Sequence, residues 1–329
     1  MGIFAGSNSN QAARIGSIYV GDSSNQVHKI VSGYYGNSSN QISKFFSSVI
    51  PPALPVFTGS HAIFGDATQG YMECYGSGIL TLPQNNYDLH AVGGGASGGA
   101  GQIGSLYSGG GGGGYTSTLF NQSLSGQYNV LVGSGGNGLN TGGSATFFPK
   151  EGSPSQVLFN SAPIITALGG SSDGFDGNPV SNARGSNGGS GGGGGSYNNR
   201  NNQAGDGGLN GSNGGNAVGA SVTSQGEDKF YGGLGQGTTT RDFGELTGTL
   251  RAGGGGGAIY TGVGGDGQGY GGTGGLGGGA NGLSSQTGAS AQAVGTPNTG
   301  GGGGGRRNSI GVGSDNSGGS GIVIIRWGY

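Results

Sequence analysis

Gly109-Gly110-Gly111-Gly112-Gly113-Gly114, closed by Tyr115, decides how the rest of the chain is read. Similar runs stand at 191–195, 253–257 and 300–305, and 90 of the 329 residues are glycine. Glycine has no Cβ, so such a run brings almost no apolar area to a core and loses the most backbone freedom on ordering. Hydrophobic burial cannot fold it. Two outcomes are left. One is a flexible linker. The other is a bundle of extended strands in the polyproline-II helix, which has three residues per turn and no internal hydrogen bonds. In that helix every N–H and C=O points outward, so strands without side chains can touch backbone to backbone and satisfy one another. Collagen uses the same steric argument at one position in three.

Three features favour the bundle. Disordered tracts are usually highly charged or monotonous, whereas this chain has a formal charge of −2 and 31% hydrophobic residues. Apolar strands flank and punctuate the runs: Tyr128-Asn129-Val130-Leu131-Val132, Ala258-Ile259-Tyr260 and Ile322-Val323-Ile324-Ile325-Arg326-Trp327. The last is the strongest strand signal in the sequence. It predicts a return to a sheet that pins the far end of the glycine region.

Composition excludes several function classes. Charged residues are 8% of the chain, against roughly 25% in ordinary soluble domains. A surface so neutral is poor at binding nucleic acid or acidic membranes by charge. The single cysteine, Cys74, allows no intrachain disulfide and no cysteine-based metal site, and reads as a small buried hydrophobe. No apolar run approaches membrane-spanning length. No signal peptide is visible in Met1-Gly2-Ile3-Phe4-Ala5, so synthesis in a cytosol, followed by lysis or assembly, is expected.

The first fifty residues repeat with a period of fifteen. Asn10, Asn25 and Asn40 each precede a glutamine; Arg14, Lys29 and Lys44 follow; Ile15, Ile30 and Phe45 come next; Tyr19 and Tyr34 close the first two units. Each unit reads as a polar turn, such as Asp22-Ser23-Ser24-Asn25, beside short strands. One small hairpin cannot bury a core alone, so 1–50 is expected to be an attachment module rather than a free β-stack. Tandem units such as Tyr19-Val20-Gly21 to Lys29-Ile30 resemble those of bacteriophage virion proteins, where they precede a tail, baseplate or fibre domain. The resemblance implies docking on other virion proteins through Asn10, Arg14, Tyr19, Asn25, Lys29, Tyr34, Asn40 and Lys44.

Pro51-Pro52-Ala53-Leu54-Pro55 is stiff and cannot donate to a sheet, which makes 51–55 the linker. Strands are then expected at 56–58, 61–64, 70–75 and 78–82. A turn is expected at Asn85-Asn86, and further strands at 87–92, 115–120, 127–132, 145–148, 156–159 and 164–168. No stretch has helical periodicity. The expected fold is all-β: N-terminal short β-hairpin repeats, an antiparallel β-sandwich over 56–168, and over 169–329 a glycine-rich bundle of polyproline-II-like (polyglycine II) strands with loop inserts and a closing strand.

Val92-Gly93-Gly94-Gly95, then Gly111-Gly112-Gly113-Gly114-Tyr115, then 128–133, and finally Gly318-Gly319-Ser320-Gly321-Ile322-Val323-Ile324-Ile325-Arg326-Trp327 occur in this order. Over 56–329 this resembles the glycine-rich domain of phage tail-fibre and adhesin proteins. Asp88-Leu89-His90-Ala91-Val92 departs from the aspartate-valine that often precedes the first glycines. The resemblance implies a virion appendage whose glycine strands form a layered bundle and whose loops contact a host-surface glycan or outer-surface protein. By analogy it implies a homo-oligomer, a trimer.

The inserts 171–187, 196–206, 223–251, 284–299 and 306–316 are the candidate contact loops. Rods seven residues long, about 20 Å, would send successive inserts to alternate ends of the bundle. Aromatic and arginine side chains are the usual anchors of interfaces, which singles out Phe175, Arg184, Tyr197, Arg200, Phe230, Tyr231, Arg241, Phe243 and Tyr270. Plugging a bundle end is the competing role for each. Tyrosine and asparagine also suit adaptable polar recognition.

Catalytic chemistry is not legible. GxGxxG patterns arise by chance at this glycine density, and no Gly-Lys pair exists for a P-loop. His28, His61 and His90 lack metal-ligand spacing, and Glu227-Asp228 suits a solvated loop better than a glycosidase dyad. Neither cofactor nor catalytic residue is expected. The leading reading is a non-enzymatic adhesin of a phage tail fibre or baseplate tip. The alternatives are a head fibre or decoration protein, a polysaccharide-degrading tailspike and, more remotely, an ice-binding bundle.

Overall fold

A computed structural model of the chain describes residues 18–21, 27–30, 53–99, 109–138, 150–171, 185–195, 230–231, 241–258, 269–283, 292–306 and 315–329. The chain divides into two compact units, Met1–Ala53 and Leu54–Tyr329. In the first, β1 (Ile18–Gly21) and β2 (Val27–Ile30) form an antiparallel ladder in which Tyr19 faces Lys29 and Val20 faces His28. The polar stretch 22–26 connects them.

The second unit holds β3 (Val56–Phe57), β4 (His61–Gly65), β5 (Gly70–Cys74), β6 (Gly78–Val92), β7 (Thr116–Leu131), β8 (Ser155–Phe159), β9 (Ala162–Ala167), the short parallel pair β10 (Phe230–Tyr231) and β11 (Gly269–Tyr270), and β12 (Ile322–Trp327). The fold is all-β, and among the described residues there is one single-turn 3-10 helix, at Asp242–Gly244. Eight strands make one sheet in the order β4-β5-β12-β6-β7-β8-β9, with β3 also paired to β6.

The registers show how one sheet supplies two layers. The first half of β6, 78–82, lies between β3 and the far half of β7, which carries β8 and β9 beyond it. The second half, 87–92, lies between β12 and the near half of β7. Register shifts at Leu82/Asn85 and Tyr87/Leu89 mark where β6 bends, as strands shared between packed layers do. Asn85 and Asn86 are therefore paired residues inside a fifteen-residue strand, opposite Leu124 and Ser123, rather than a turn; the bulge on β6 is at Pro83-Gln84, where Pro83 is tolerated because it needs no ladder donor. The expected strands 115–120 and 127–132 are likewise one strand, β7. The expected strand 145–148 lies outside the described residues.

Both layers feed one core of Phe57, Met72, Cys74, Leu80, Leu82, Tyr87, Leu89, Tyr128, Val130, Val157, Ile165, Val323, Ile325 and Trp327. Each such side chain contributes about 1.5–3 kcal/mol on full burial. Trp327 lies flat against the β5 backbone, where a Cβ on Gly70 would strike its ring, and its indole N–H donates to the Asp66 carbonyl at 2.7 Å. Burial pushes the Cys74 thiol up to about 12. β12 takes the slot between β5 and β6, so the apolar closing strand does return to the sheet.

The strands run directly into glycine. Gly93, Ala96 and Gly99 donate to the carbonyls of Tyr115, Gly112 and Gly109 at 3.0, 2.8 and 3.1 Å. Gly94 and Ser97 donate to Ser153 and Lys150, and Gly95 and Gly98 to Gly319 and Asn316. Every third residue thus serves the same neighbour, as a helix with three residues per turn requires. Gly302 and Gly305 repeat the rule toward Gly253 and Gly256, and Gly303 and Arg306 toward Ala96 and Gly99, here with the neighbour running parallel. Ser155 fastens the lattice to the sheet: its buried hydroxyl donates to the Val92 carbonyl at 2.6 Å and accepts from the Gly133 N–H at 2.9 Å.

The lattice has no room for side chains. A Cβ on Gly112 would collide with the Asn187 carbonyl, and one on Gly255 with the Gly303 carbonyl. A Cβ on Gly76 would meet Ser60 at an ordinary 3.7 Å. Gly112→Ala is expected to destabilise the protein by about 1–3 kcal/mol, and Gly76→Ala to change it by less than about 0.5 kcal/mol. Paired thermal-melting curves measure the difference.

Candidate functional site

Two regions stand out: the lattice points from which inserts leave, and one insert folded onto the sheet. The insert stems are closed by backbone hydrogen bonds. Gly99 donates to Gly109 at 3.1 Å, Ser171 to Asn187 at 2.9 Å and Gly272 to Gly257 at 2.9 Å. Cross-links put several exits on one level. Arg306 donates to Gly99, Leu283 to Gly305, and Gly305 to Gly256. Gly99 is seven residues beyond Val92, the end of β6, so this level is the end of the bundle remote from the sheet. The described runs that end at Gly99, Ala258, Leu283 and Arg306 all reach it.

The segment 241–251 goes to the other end and packs on the outer face of β5, β12, β6 and β7. Its own ends meet, with Asp242 N–H donating to the Thr249 carbonyl at 3.0 Å and the Arg241 guanidinium donating to the Gly248 carbonyl at 2.9 Å. Phe243 adopts a left-handed φ of 56°, which only a few per cent of non-glycine residues do. The turn aims its ring at His90, centroids 5.3 Å apart, and beneath the Arg326 guanidinium at 4.0 Å. Val92, Ala252, Ile322 and Ile324 form a second small core there, flanked by Tyr71, Tyr75 and Phe243. This cover explains why the second half of β6 is buried on both faces.

Charge holds the segment down. Arg251, 8% exposed, pairs with Asp242 at 3.0 Å and Glu73 at 3.1 Å and donates to the Asn298 carbonyl. Glu73 also accepts from the Tyr75 hydroxyl at 2.6 Å, which raises the tyrosine pKa to about 12. Arg326 bridges Asp88 at 2.8 Å and Glu245 at 2.6 Å. Burial raises the Asp242 pKa while Arg251 pulls it down.

His90 sits among these charges, 1% exposed. Its Nδ1 shares a hydrogen bond with the Thr118 hydroxyl at 2.7 Å, and its Nε2 stands 3.6 Å from Asp242. Burial first, then Arg251 and Arg326, lower its pKa to about 4. The nearby carboxylate does not reverse this, because Arg251 already neutralises Asp242. Hydroxyl, imidazole and carboxylate stand in the order of a nucleophilic triad. A buried imidazole of that pKa is nevertheless a poor proton acceptor at neutral pH. Among the described residues, no group of three His, Cys, Asp or Glu side chains is placed to hold a metal.

Of the contact candidates, Arg241 and Phe243 belong to this segment: the Arg241 guanidinium bonds its own turn at Gly248, and the Phe243 ring packs on His90 and Arg326. β10 and β11 set Phe230 beside Gly269 and Tyr231 beside Tyr270 in register. Phe175, Arg184, Tyr197 and Arg200 lie outside the described residues. Of the attachment candidates, Tyr19 and Lys29 face one another across β1 and β2; Asn10, Arg14, Asn25, Tyr34, Asn40 and Lys44 lie outside them. The reading by inserts missed the exposed aromatics that meet around Arg326. Its guanidinium is 5.9 Å from the Phe120 ring and 5.0 Å from Tyr329, and beside them Phe64 stacks on Tyr71 at 4.7 Å. Period-two alternation places Phe120 and Arg326 on outward faces, but only strand pairing brings them together.

An all-β, glycine-latticed chain of this kind has relatives. The chain matches the glycine-rich domain family over residues 74–328. It belongs to that family. No curated protein matches the sequence.

Arg251→Ala leaves Asp242 and Glu73 without their partner and is expected to cost about 3–5 kcal/mol. Limited proteolysis within 241–251 should accelerate accordingly. The lowered His90 pKa means that the unfolded chain binds the extra proton first. Its contribution to stability is complete above about pH 6.5 and is lost as pH falls toward 4, by up to about 3 kcal/mol. Urea midpoints at pH 7 and pH 4.5 should differ less in His90→Gln than in the unaltered protein.

Proposed function

We propose that the chain is a structural protein of a bacteriophage virion, a tail-fibre or baseplate-tip adhesin that presents its inserts to a receptor on the host surface. The observation that carries this reading is the closure of the insert stems on a rigid lattice. Gly99 and Gly109, and Gly257 and Gly272, are joined by hydrogen bonds, and Arg306, Gly305 and Leu283 tie the neighbouring exits to them. Loops of variable sequence on a fixed scaffold are the usual architecture of recognition surfaces. A lattice of bare backbone keeps its geometry whatever the loops contain. Membership of the glycine-rich domain family supports the scaffold, and the resemblance of 1–50 to virion repeats supports docking on other virion proteins. The receptor is a cell-surface glycan or an outer-surface protein, and the working assembly is a homo-oligomer.

The test replaces 259–268 and 307–314 with Gly/Ser loops of equal length. Particles carrying the variant should assemble normally and lose at least tenfold in adsorption to host cells. Unchanged adsorption and host range, or labelling that places the protein on the capsid, defeats the adhesin reading.

A further inference from the structure

The sheet has an edge with which no strand pairs among the described residues. β4 pairs with β5 on one side, from His61 facing Cys74 to Gly65 facing Gly70. Tyr75 N–H donates to the Ser60 carbonyl and Asp66 N–H to the Gln69 carbonyl. Antiparallel bonding alternates along a strand, so Ser60, Ala62, Phe64 and Asp66 bond inward. His61 and Ile63 turn their N–H and C=O groups outward, Gly65 ends the extended run at a φ of 95°, and among the described residues no strand pairs with them.

Exposed edges of this kind are normally blunted by lysine, proline, inward-pointing charge or brevity. β9, at the opposite edge, carries Pro163, and β3 has two residues. β4 is His61-Ala62-Ile63-Phe64-Gly65, without charge or proline. Ile63 is 37% and Phe64 43% exposed.

We infer that β4 is a homotypic contact, in which two copies of this chain join their sheets across a twofold axis at Ile63. The edge is complementary to itself. Antiparallel pairing about Ile63 bonds its N–H and C=O to those of Ile63 in the second copy, and sets His61 opposite Gly65 at either end. Size matches as well as polarity. On the outer face, Phe64, stacked on Tyr71, falls opposite the second copy's Ala62. On the inner face, His61 falls opposite glycine. Phe64 and His61 each meet a small residue, Ile63 meets its own copy as an apolar pair on the axis, and no charge on the strand meets its like. A second copy is the occupant because this match depends only on the strand's own sequence read in both directions.

The test uses the full chain in analytical ultracentrifugation over a range of concentrations. The unaltered protein is expected to dimerise through this edge, and both Ile63→Lys and Ile63→Glu to weaken self-association at least tenfold by placing like charges on the axis. Mixing the two variants should restore a one-to-one heterodimer, which a folding defect would not do. An unaltered protein that stays monomeric, an assembly that neither variant weakens, or a mixture that associates no better than either variant alone overturns the inference.

Discussion

Backbone amides bonding in threes are the constraint from which the structure follows. Along 93–99, successive residues donate to three different neighbours and return to the first every third step. A β-strand serves two neighbours in one plane; a threefold helix serves neighbours all round. The strands therefore pack in two dimensions and accept neighbours of either direction, as 303 and 306 do beside 96 and 99. The same geometry excludes side chains. Where the inner positions are not glycine most are small, as at Ala96, Ser97, Ser190, Ala252 and Ala280, with Asn316 and Arg306 the large exceptions.

Such a lattice gains little from apolar burial, since its residues have little to bury. A backbone hydrogen bond contributes only about 0.5–1.5 kcal/mol net, close to the roughly 1–2 kcal/mol of backbone entropy spent on each residue ordered. The sheet supplies what the lattice lacks. β6, β7, β8, β9 and β12 all end or begin in glycine strands, so the hydrophobic core of the sheet fixes where each lattice strand starts. Ser155 bonds across the junction, and the segment 241–251, held by Arg251 and Arg326, seals the outer face of β12 beside it.

Local features were legible in the sequence where local chemistry decides them. Ile322-Val323-Ile324-Ile325 could only be a buried strand, and glycine runs between apolar strands could only be a linker or a backbone-bonded bundle. Features that depend on distant partners were not legible. Asn85-Asn86 has turn composition, yet both residues pair with β7, because β6 runs on to serve two layers. Gly126, with φ of 92°, reads as a break but is carried within β7. Phe243 has the look of a contact residue, and its ring is used to cover His90 and Arg326. Glu73 and Arg251 stand 178 positions apart, and no spacing rule links them. Which glycine strand neighbours which is the least legible of all, because identical residues carry no label.

The position of β12 has a consequence for biosynthesis. The strand occupies the middle of its layer, yet the ribosome delivers Ile322–Trp327 only after the entire glycine region has emerged. Until then β5 and β6 face an open gap, and Met72, Leu89 and Cys74 lack the side chains that cover them. Pairings between segments so far apart in sequence close slowly, and an unfilled slot of this shape is the sort of intermediate that other chains can enter. Completion of the sheet must wait on one hexapeptide finding its place.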